Sequence, residues 1–576
     1  MFLPSTRKEM DLLGWDGLDV ILISGDSYID SPFIGAAVIG KVLLKAGYRV
    51  GIIGQPDVNS GADVSRLGEP ELFWGVTGGC IDSMVANRTA TGRRRKTDDY
   101  TPGGVNDRRP DRAAIVYSNL IRRNFKDTRP IVLGGIEASL RRVAHYDFWS
   151  NSIRKSILFD AKADYLLYGM AERSVVELAN SLRDGKDPKA VRGLCYISKE
   201  MPEGCVELPP YQEAASDKDA FTLSFNAFYN NNDPLTARPL SQRHDNRYLI
   251  QNAPAMHLTQ AELDAVYSLK YERDLHPFYR KDGDVKALET IRFSISTHRG
   301  CYGECSFCAI AVHEGRAVRS RSRASIMAEA EEMVRHPLFK GRIHDVGGPS
   351  ANMYASGCER MEKKGCCAKK SCISPKICPV LKQGHGEQAE LLKALRAIKG
   401  VKKVVVASGI RYDMVLADKK DGEKYLRELV CHHVSGQLKI APEHSEANVL
   451  EMMGKPGCDQ EALKKFKELF YRYTREAGLK QFMSYYLMAA HPGCGREDMK
   501  RLRAFALKEL GGVPEQVQVF TPTPSTYSTL MYWTGKDPFT GNSVFVERTE
   551  RGREEQKTVL LGSSFCRKTD YTKKRY

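Results

Sequence analysis

Short apolar runs alternate with helical periodicity along most of this chain, and that alternation narrows the fold more than any other feature. Val20-Ile21-Leu22-Ile23 reads as a buried strand. Ile34, Val38, Ile39, Val42 and Leu43 then recur at helical spacing, and Gly47 stands where that helix should end. Val50-Gly51-Ile52-Ile53 is the next strand and completes a βαβ unit. Ile131-Val132-Leu133-Gly134-Gly135 and Tyr165-Leu166-Leu167-Tyr168-Gly169 are further strands ending in glycine. Val175, Val176, Leu178, Ala179 and Leu182 mark a following helix. Strands alternating with helices predict an α/β fold with a parallel, doubly wound sheet, its ligand crevice at the carboxyl ends of the strands.

The rhythm fails over residues 199–288, which read as an irregular connecting segment with a helix near Gln260–Tyr271. It resumes at Ile291–Thr297. Strands at Arg342–Val346, Val401–Ala407, Gln437–Ala441, Phe482–Ala490 and Gln516–Phe520 bring the count to six. Helices fall between them, at Ser325–Arg335 and around Leu391–Ile398 and Leu463–Tyr473. The expected fold is an open barrel with its chemistry on the loops after the strands, by analogy with the closed barrel. The reading thus gives a first α/β domain over 1–198, the connection over 199–288 and a barrel over 289–541. The barrel carries a cysteine-rich insertion over 357–380, and a charged, peripheral tail occupies 542–576.

No apolar run approaches the length of a membrane span. The start, Met1-Phe-Leu-Pro-Ser-Thr-Arg, lacks a basic region followed by an apolar core, so no export signal is read and a reducing cytoplasm is expected. Disulfides are not expected there. Eight of the fifteen cysteines fall between Cys301 and Cys378, which points to metal. Cys80, Cys195, Cys205, Cys431, Cys458, Cys494 and Cys566 are scattered and read as ordinary buried thiols. The net charge is +16, with basic runs at Arg93-Arg94-Arg95-Lys96, Arg319–Arg323 and Lys573-Lys574-Arg575. That balance suits RNA or an anionic small substrate, and equally a solvated surface.

Cys301-Tyr-Gly-Glu-Cys305-Ser-Phe-Cys308 has the spacing CxxxCxxC and follows the first barrel strand. Thiolates are soft ligands that suit iron–sulfur clusters or zinc. Three of them can bind three irons of a 4Fe-4S cube and leave the fourth open. An open iron can chelate the amino and carboxylate groups of S-adenosylmethionine. One electron then cleaves the S–C bond and yields a 5′-deoxyadenosyl radical. That electron calls for a flavodoxin- or ferredoxin-like donor. The competing reading is structural zinc, which wants four protein ligands. His298 or His313 would be the fourth, in a spacing that matches no common finger or knuckle. Phe307 can shelter the cluster and contact the adenine, or simply pack.

The CxxxCxxC motif resembles the signature of the radical S-adenosylmethionine superfamily, which implies a partial (βα)6 barrel. Gln251-Asn-Ala-Pro-Ala-Met-His-Leu-Thr, Ser296-Thr-His-Arg-Gly-Cys, Gly347-Gly-Pro-Ser-Ala-Asn-Met-Tyr and Ile440-Ala-Pro-Glu-His narrow the resemblance to the YgiQ family, over residues 1 to about 537. It implies a reaction class and leaves the substrate unassigned. In the superfamily the position of Gly347-Gly348 binds the amino group of S-adenosylmethionine. Pro349 stands here in place of the usual acid, so only backbone contact is expected. Ser408 and Arg411 follow the third strand, and Arg411 can pair with the cofactor carboxylate. Lys439 and Glu443 flank the end of the fourth strand and can meet ribose or substrate. For each of these, a structural ion pair is the alternative.

Cys358, Cys366, Cys367, Cys372 and Cys378 share one polar, lysine-rich insertion. A second iron–sulfur cluster is the first reading for them, zinc the second and unliganded thiols the third. The first domain resembles the cobalamin-binding-like fold that precedes the barrel in some radical enzymes. No Asp-x-His-x-x-Gly motif occurs, so cobalt has no histidine ligand. The domain is read as a scaffold that recognises substrate, with base-off cobalamin as the alternative.

Overall fold

The computed structural model describes residues 1–368, 371–514 and 517–562. Gln516, Cys566 and Lys573-Lys574-Arg575 lie outside the described residues. The chain forms two compact units. The first comprises Met1–Ser294 with Val312–Gly315 and Lys363–Cys366, and the second takes Ile295–Ala311, Arg316–Glu362 and the chain from Cys367 onward.

In the first unit, β1 (Val20–Ser24) lies between β2 (Val50–Gly54) and β3 (Phe73–Thr77). β4 (Ile131–Gly134) and β5 (Tyr165–Leu167) follow, giving five parallel strands in the order 2-1-3-4-5. This is one of the common doubly wound orders. All five residues of β1 are buried, as both-face coverage requires. Helix α1 (Gly35–Lys45) ends before Gly47, whose φ of 92° is left-handed. Leu3, Leu22, Ala37, Leu43, Ile52 and Phe73 lie in the core on this side.

The stretch 199–288 is not irregular. β6 (Leu194–Ser198) turns antiparallel onto β5, and β7 (Val206–Leu208), β8 (Leu240–His244) and β9 (Arg247–Gln251) extend the same sheet to nine strands. Periodicity missed them because their alternating polar residues are buried too. Gln242 and Gln251 are almost fully buried and bond to Ala144 N and Arg142 Nε.

The second unit begins at Ile295, within β10 (Ser294–Ser296); Ile291 ends a short helix instead of starting this strand. β11 (Arg342–Ile343) pairs in parallel with β13 (Lys403–Val404), and β12 (Asp345–Gly347) pairs with β10. β14 (Gln437–Glu443), β15 (Phe482–Ala489) and β16 (Val517–Val519) form a parallel sheet. A bridge from Ile410 to Ile440 joins the third strand position to the fourth. Among the described residues β10 and β16 do not pair, so the six-stranded barrel is open. The ladder at Val401–Ala407 is confined to β13.

The tail is not peripheral. Residues Glu550–Leu561 form a helix that buries Arg553, Gln556 and Leu560. Gln556 accepts from Ala490 N at 2.9 Å and donates to Cys494 O at 3.0 Å.

Candidate functional site

The loop Cys301–Cys308 leaves the end of β10 under tight main-chain control. Ser306 N donates to Met453 O at 3.0 Å, and Ser528 N donates to Ser306 O at 2.8 Å. Cys308 N donates to Cys305 O at 2.9 Å, and Gly303 N donates to Cys301 Sγ at 3.3 Å. Gly303 sits in a tight cradle, where a side chain would press on its neighbours. A Cβ there would stand 3.2 Å from Cys301 Sγ and from Arg411 Nη1, and 3.6 Å from Cys305 Sγ. Two of the three thiols and one guanidinium therefore converge around a single bare residue.

The charges around this loop are buried. Arg411 holds Asp413 with both prongs, Nε–Oδ1 at 2.9 Å and Nη2–Oδ2 at 2.6 Å, and directs Nη1 to Cys305 Sγ at 3.7 Å. Burial works against the guanidinium charge, but Cys458, Asp413 and Cys305 outweigh it and raise its pKa well above the ordinary value. Lys455, 3% exposed, pairs with Glu443 at 3.3 Å and bonds Ala441 O. Burial opposes its charge as well, yet Glu443, Cys458 and Cys305 lift its pKa. Burial, and then the neighbouring Cys305, push the Cys301 thiol up. Glu304, in a left-handed conformation at φ 42°, accepts from Arg316 at 3.1 Å within the same unit.

The other residues expected here are placed as follows. A Cβ on Gly348 would stand 2.6 Å from the His298 ring, and one on Gly347 would stand 3.3 Å from Ser408. Gly347 O accepts from Thr297 N at 2.7 Å. The double glycine thus lets neighbouring strand ends close up. Ser408 is bound to Asp345 through both N and Oγ. Phe307 meets the His491 ring edge-on at 6.2 Å. Lys439 is exposed on β14, and Glu443, at φ 67°, sits in the bulge that ends it. The bidentate capacity expected of Arg411 toward a cofactor carboxylate is already taken by Asp413. Sequence reasoning missed Lys455, Asp413 and Glu304; the turn Gly454-Lys455-Pro456-Gly457-Cys458 was the available signal.

The radical SAM N-terminal family model matches residues 2–294, and the radical SAM superfamily model matches 295–506. A domain of unknown function, DUF3362, matches 515–562. The chain is 54% identical over 560 residues to a UPF0313 protein of Fusobacterium nucleatum, covering 97% of this chain and 98% of that one. A UPF0313 protein of Thermotoga maritima is 49% identical over 566 residues, with 97% and 98% covered. The chain belongs to the UPF0313 family, also called YgiQ, of radical SAM proteins. Among solved structures, the radical S-adenosylmethionine methyltransferase TsrM from Kitasatospora setae, with tryptophan substrate and a SAM analogue bound, matches with a TM-score of 0.50. The match is 16% identical and covers 88% of this chain and 74% of that one, so it shows a shared fold.

This UPF0313 chain is accordingly a radical SAM enzyme, with a cobalamin-binding-like α/β domain followed by a partial (βα)6 barrel. Its family cofactors are a 4Fe-4S cluster and S-adenosylmethionine. The barrel loop fits a cluster, because the close approach at Gly303 sets two soft sulfur donors beside the buried Arg411 guanidinium. Among the described residues no three His, Cys, Asp or Glu side chains stand close enough to hold one metal ion between them. A cube meets its ligands at separate corners, so they need not converge on one point as those of tetrahedral zinc do.

The strand ends of the first unit do not fit a cofactor at the point where the order reverses, between β1 and β3. Gly25 N donates to Thr77 O at 3.0 Å, and a Cβ on Gly25 would stand 2.1 Å from Gly78 O. Arg109, fully buried, donates to Gly25 O at 3.0 Å, Asp26 at 2.7 Å and Asp98 at 3.0 Å. Main chain and a buried ion triad crowd these strand ends, with Arg109 Nη1 buried and without a hydrogen-bond partner among the described residues. No described helix is long and apolar enough to cross a membrane.

Proposed function

We propose that Cys301, Cys305 and Cys308 hold three irons of the 4Fe-4S cluster, that S-adenosylmethionine takes the fourth, and that the enzyme abstracts hydrogen from its substrate. The observation that carries this reading is the Gly303 cradle, with Cys301, Cys305 and Arg411 around it at the end of the first barrel strand. When bound, the cluster and S-adenosylmethionine supply a 5′-deoxyadenosyl radical by one-electron cleavage of the sulfonium S–C bond. The chain's own part is to fix the loop, set positive charge beside its sulfurs and exclude water. Main-chain bonds to Met453 and Ser528 supply the first. Lys455 and Arg411 supply the charge, Arg411 through an N–H aimed at Cys305 Sγ. Phe307, packed edge-on against His491, would shield one side. Ser408, Gly347, Gly348, Lys439 and Glu443 frame the strand ends where cofactor and substrate would lie.

The electron would come from a flavodoxin- or ferredoxin-like donor. Anaerobic reconstitution with iron and sulfide, followed by dithionite and S-adenosylmethionine, should yield 5′-deoxyadenosine, and Cys305→Ala should abolish it. A Cys305→Ala enzyme that forms it at the parent rate refutes the ligand assignment. An RNA substrate is the variant that charge favours, with a net +16 and an exposed Arg93–Lys96 run. It predicts salt-sensitive association with cellular RNA, and unchanged mobility at low salt counts against it.

A further inference from the structure

The insertion after β12 is closed at its base, where Gly357 and Lys382 exchange both main-chain hydrogen bonds at 3.0 and 2.9 Å. Between these two residues, the apolar side chains buried among the described residues are Met361, Ile373 and Leu381. So little buried surface cannot by itself offset the entropy of ordering a polar segment of this length. Something else holds the segment, and its cysteines are the groups that can.

Four of the five are drawn toward one another. Cys378 N donates to Cys372 O at 2.8 Å. Arg316 Nη2 donates to Cys367 O at 3.0 Å, and Arg360 Nη1 donates to Cys367 Sγ at 3.2 Å. Cys372 lies within electrostatic reach of Cys358, Cys367 and the Glu304–Arg316 pair. Tyr302 is within reach of both Cys372 and Cys358, and its hydroxyl donates to Ser356 O at 3.4 Å. Cys366 goes elsewhere. It belongs to the first unit, and its N–H donates to Asp233 Oδ2 at 2.8 Å. Gly365 makes that departure, at φ 78° and with its missing Cβ position 2.4 Å from Asp233 Oδ1.

We propose that Cys358, Cys367, Cys372 and Cys378 form a second metal site of four thiolates, distinct from the CxxxCxxC loop, with Cys366 outside it. Four thiolates leave no corner of a cube open, so this site would order the insertion or carry electrons and would not bind S-adenosylmethionine. Arg360 and Arg316 offset part of the thiolate charge. The four sulfurs do not yet meet at one point, so binding would draw them together and fold the insertion further. The ligand chemistry suits an iron–sulfur cluster or zinc, and Pro379 after the last cysteine is a feature of ferredoxin-type cluster runs.

The proposal does not depend on the first cluster, and one variant separates the two. Full-length protein with Cys301, Cys305 and Cys308 all changed to Ala is purified anaerobically and loaded with iron and sulfide in one arm and with zinc in the other. Iron, sulfide and zinc are then quantified. The variant should retain stoichiometric metal in the arm that matches the native site. Adding Cys358→Ser and Cys372→Ser should remove it, whereas adding Cys366→Ser should not. Loss of all metal from the triple variant in both arms overturns the proposal, as does full retention after Cys358→Ser and Cys372→Ser. If the first-cluster reading fails instead, parent and triple variant bind equal metal. Thiol labelling of the folded parent checks the assignment without mutation. Cys358, Cys367, Cys372 and Cys378 should be protected until a chelator is added, and labelling that ignores the chelator contradicts the site.

Discussion

Each unit places a buried arginine beside the carboxyl ends of parallel strands, and the two arginines are used in opposite ways. Arg109 donates to two carboxylates and to Gly25 O, and the glycine loops of β1 and β3 close main chain to main chain. Arg411 has one carboxylate, Asp413, and turns its remaining N–H to the sulfur of Cys305. The difference is one acidic partner and what stands beside the glycine. In the first unit that neighbour is backbone, and in the second it is a pair of thiols. A doubly wound sheet therefore does not imply a ligand at its strand ends, where main chain can meet main chain as it does at Gly25 and Gly78.

The largest expected effect tests the closed end. Arg109→Met leaves Asp26 and Asp98 buried without a counter-charge and should cost about 3–5 kcal/mol in denaturant unfolding. A loss below ~1 kcal/mol would show that the triad does not hold these strand ends together. Arg411→Met strands one carboxylate and should cost less, about 3 kcal/mol. It should also lower the reduction potential of the bound cluster in an EPR-monitored titration, because a hydrogen bond to a ligand sulfur is lost. An unchanged potential would show that Nη1 does not act on Cys305. Gly303→Ala forces a Cβ into the cradle, at about 1–3 kcal/mol, and should reduce the iron content after reconstitution. Full iron loading would mean the cradle is not shaped for the cluster.

Acidification gives the smallest effect and sharpens the contrast. Burial raises the Asp413 carboxyl pKa, but Arg411 outweighs it and holds the group below its ordinary value of 3.8. A carboxylate depressed in this way stabilises the fold above its unfolded pKa, and that contribution is lost as pH falls from about 3.8 through the folded value. The acid limb of stability against pH should flatten in Arg411→Met. An identical limb in parent and variant would place the acid sensitivity elsewhere.

Much of the architecture was legible because its strands are buried on both faces. Val20–Ser24 and Ile131–Gly134 announce themselves as apolar runs. β8 and β9 do not, because Gln242 and Gln251 are buried by hydrogen bonding, which leaves no hydrophobic period to read. The tail helix hid in the same way, since Gln556 is a core residue only through its bonds to Ala490 and Cys494. At the candidate site, the spacing of Cys301, Cys305 and Cys308 was visible as chemistry. The reach of Lys455 was not, since it depends on the chain after β14 folding back onto the end of that strand. Arg411 was legible as a residue, yet its partner could only be settled by geometry, because Asp413 two positions later competes with any ligand carboxylate.

At the Cys301–Cys308 loop the proposed site fills three corners of a cube with cysteine and leaves one for another molecule. Electron paramagnetic resonance of the dithionite-reduced Cys358→Ser, Cys372→Ser variant, before and after adding S-adenosylmethionine, tests it directly. A reduced-cluster signal whose g values move on addition is the expected result. A signal indifferent to S-adenosylmethionine, or a loop filled by zinc with no reducible iron, would contradict it.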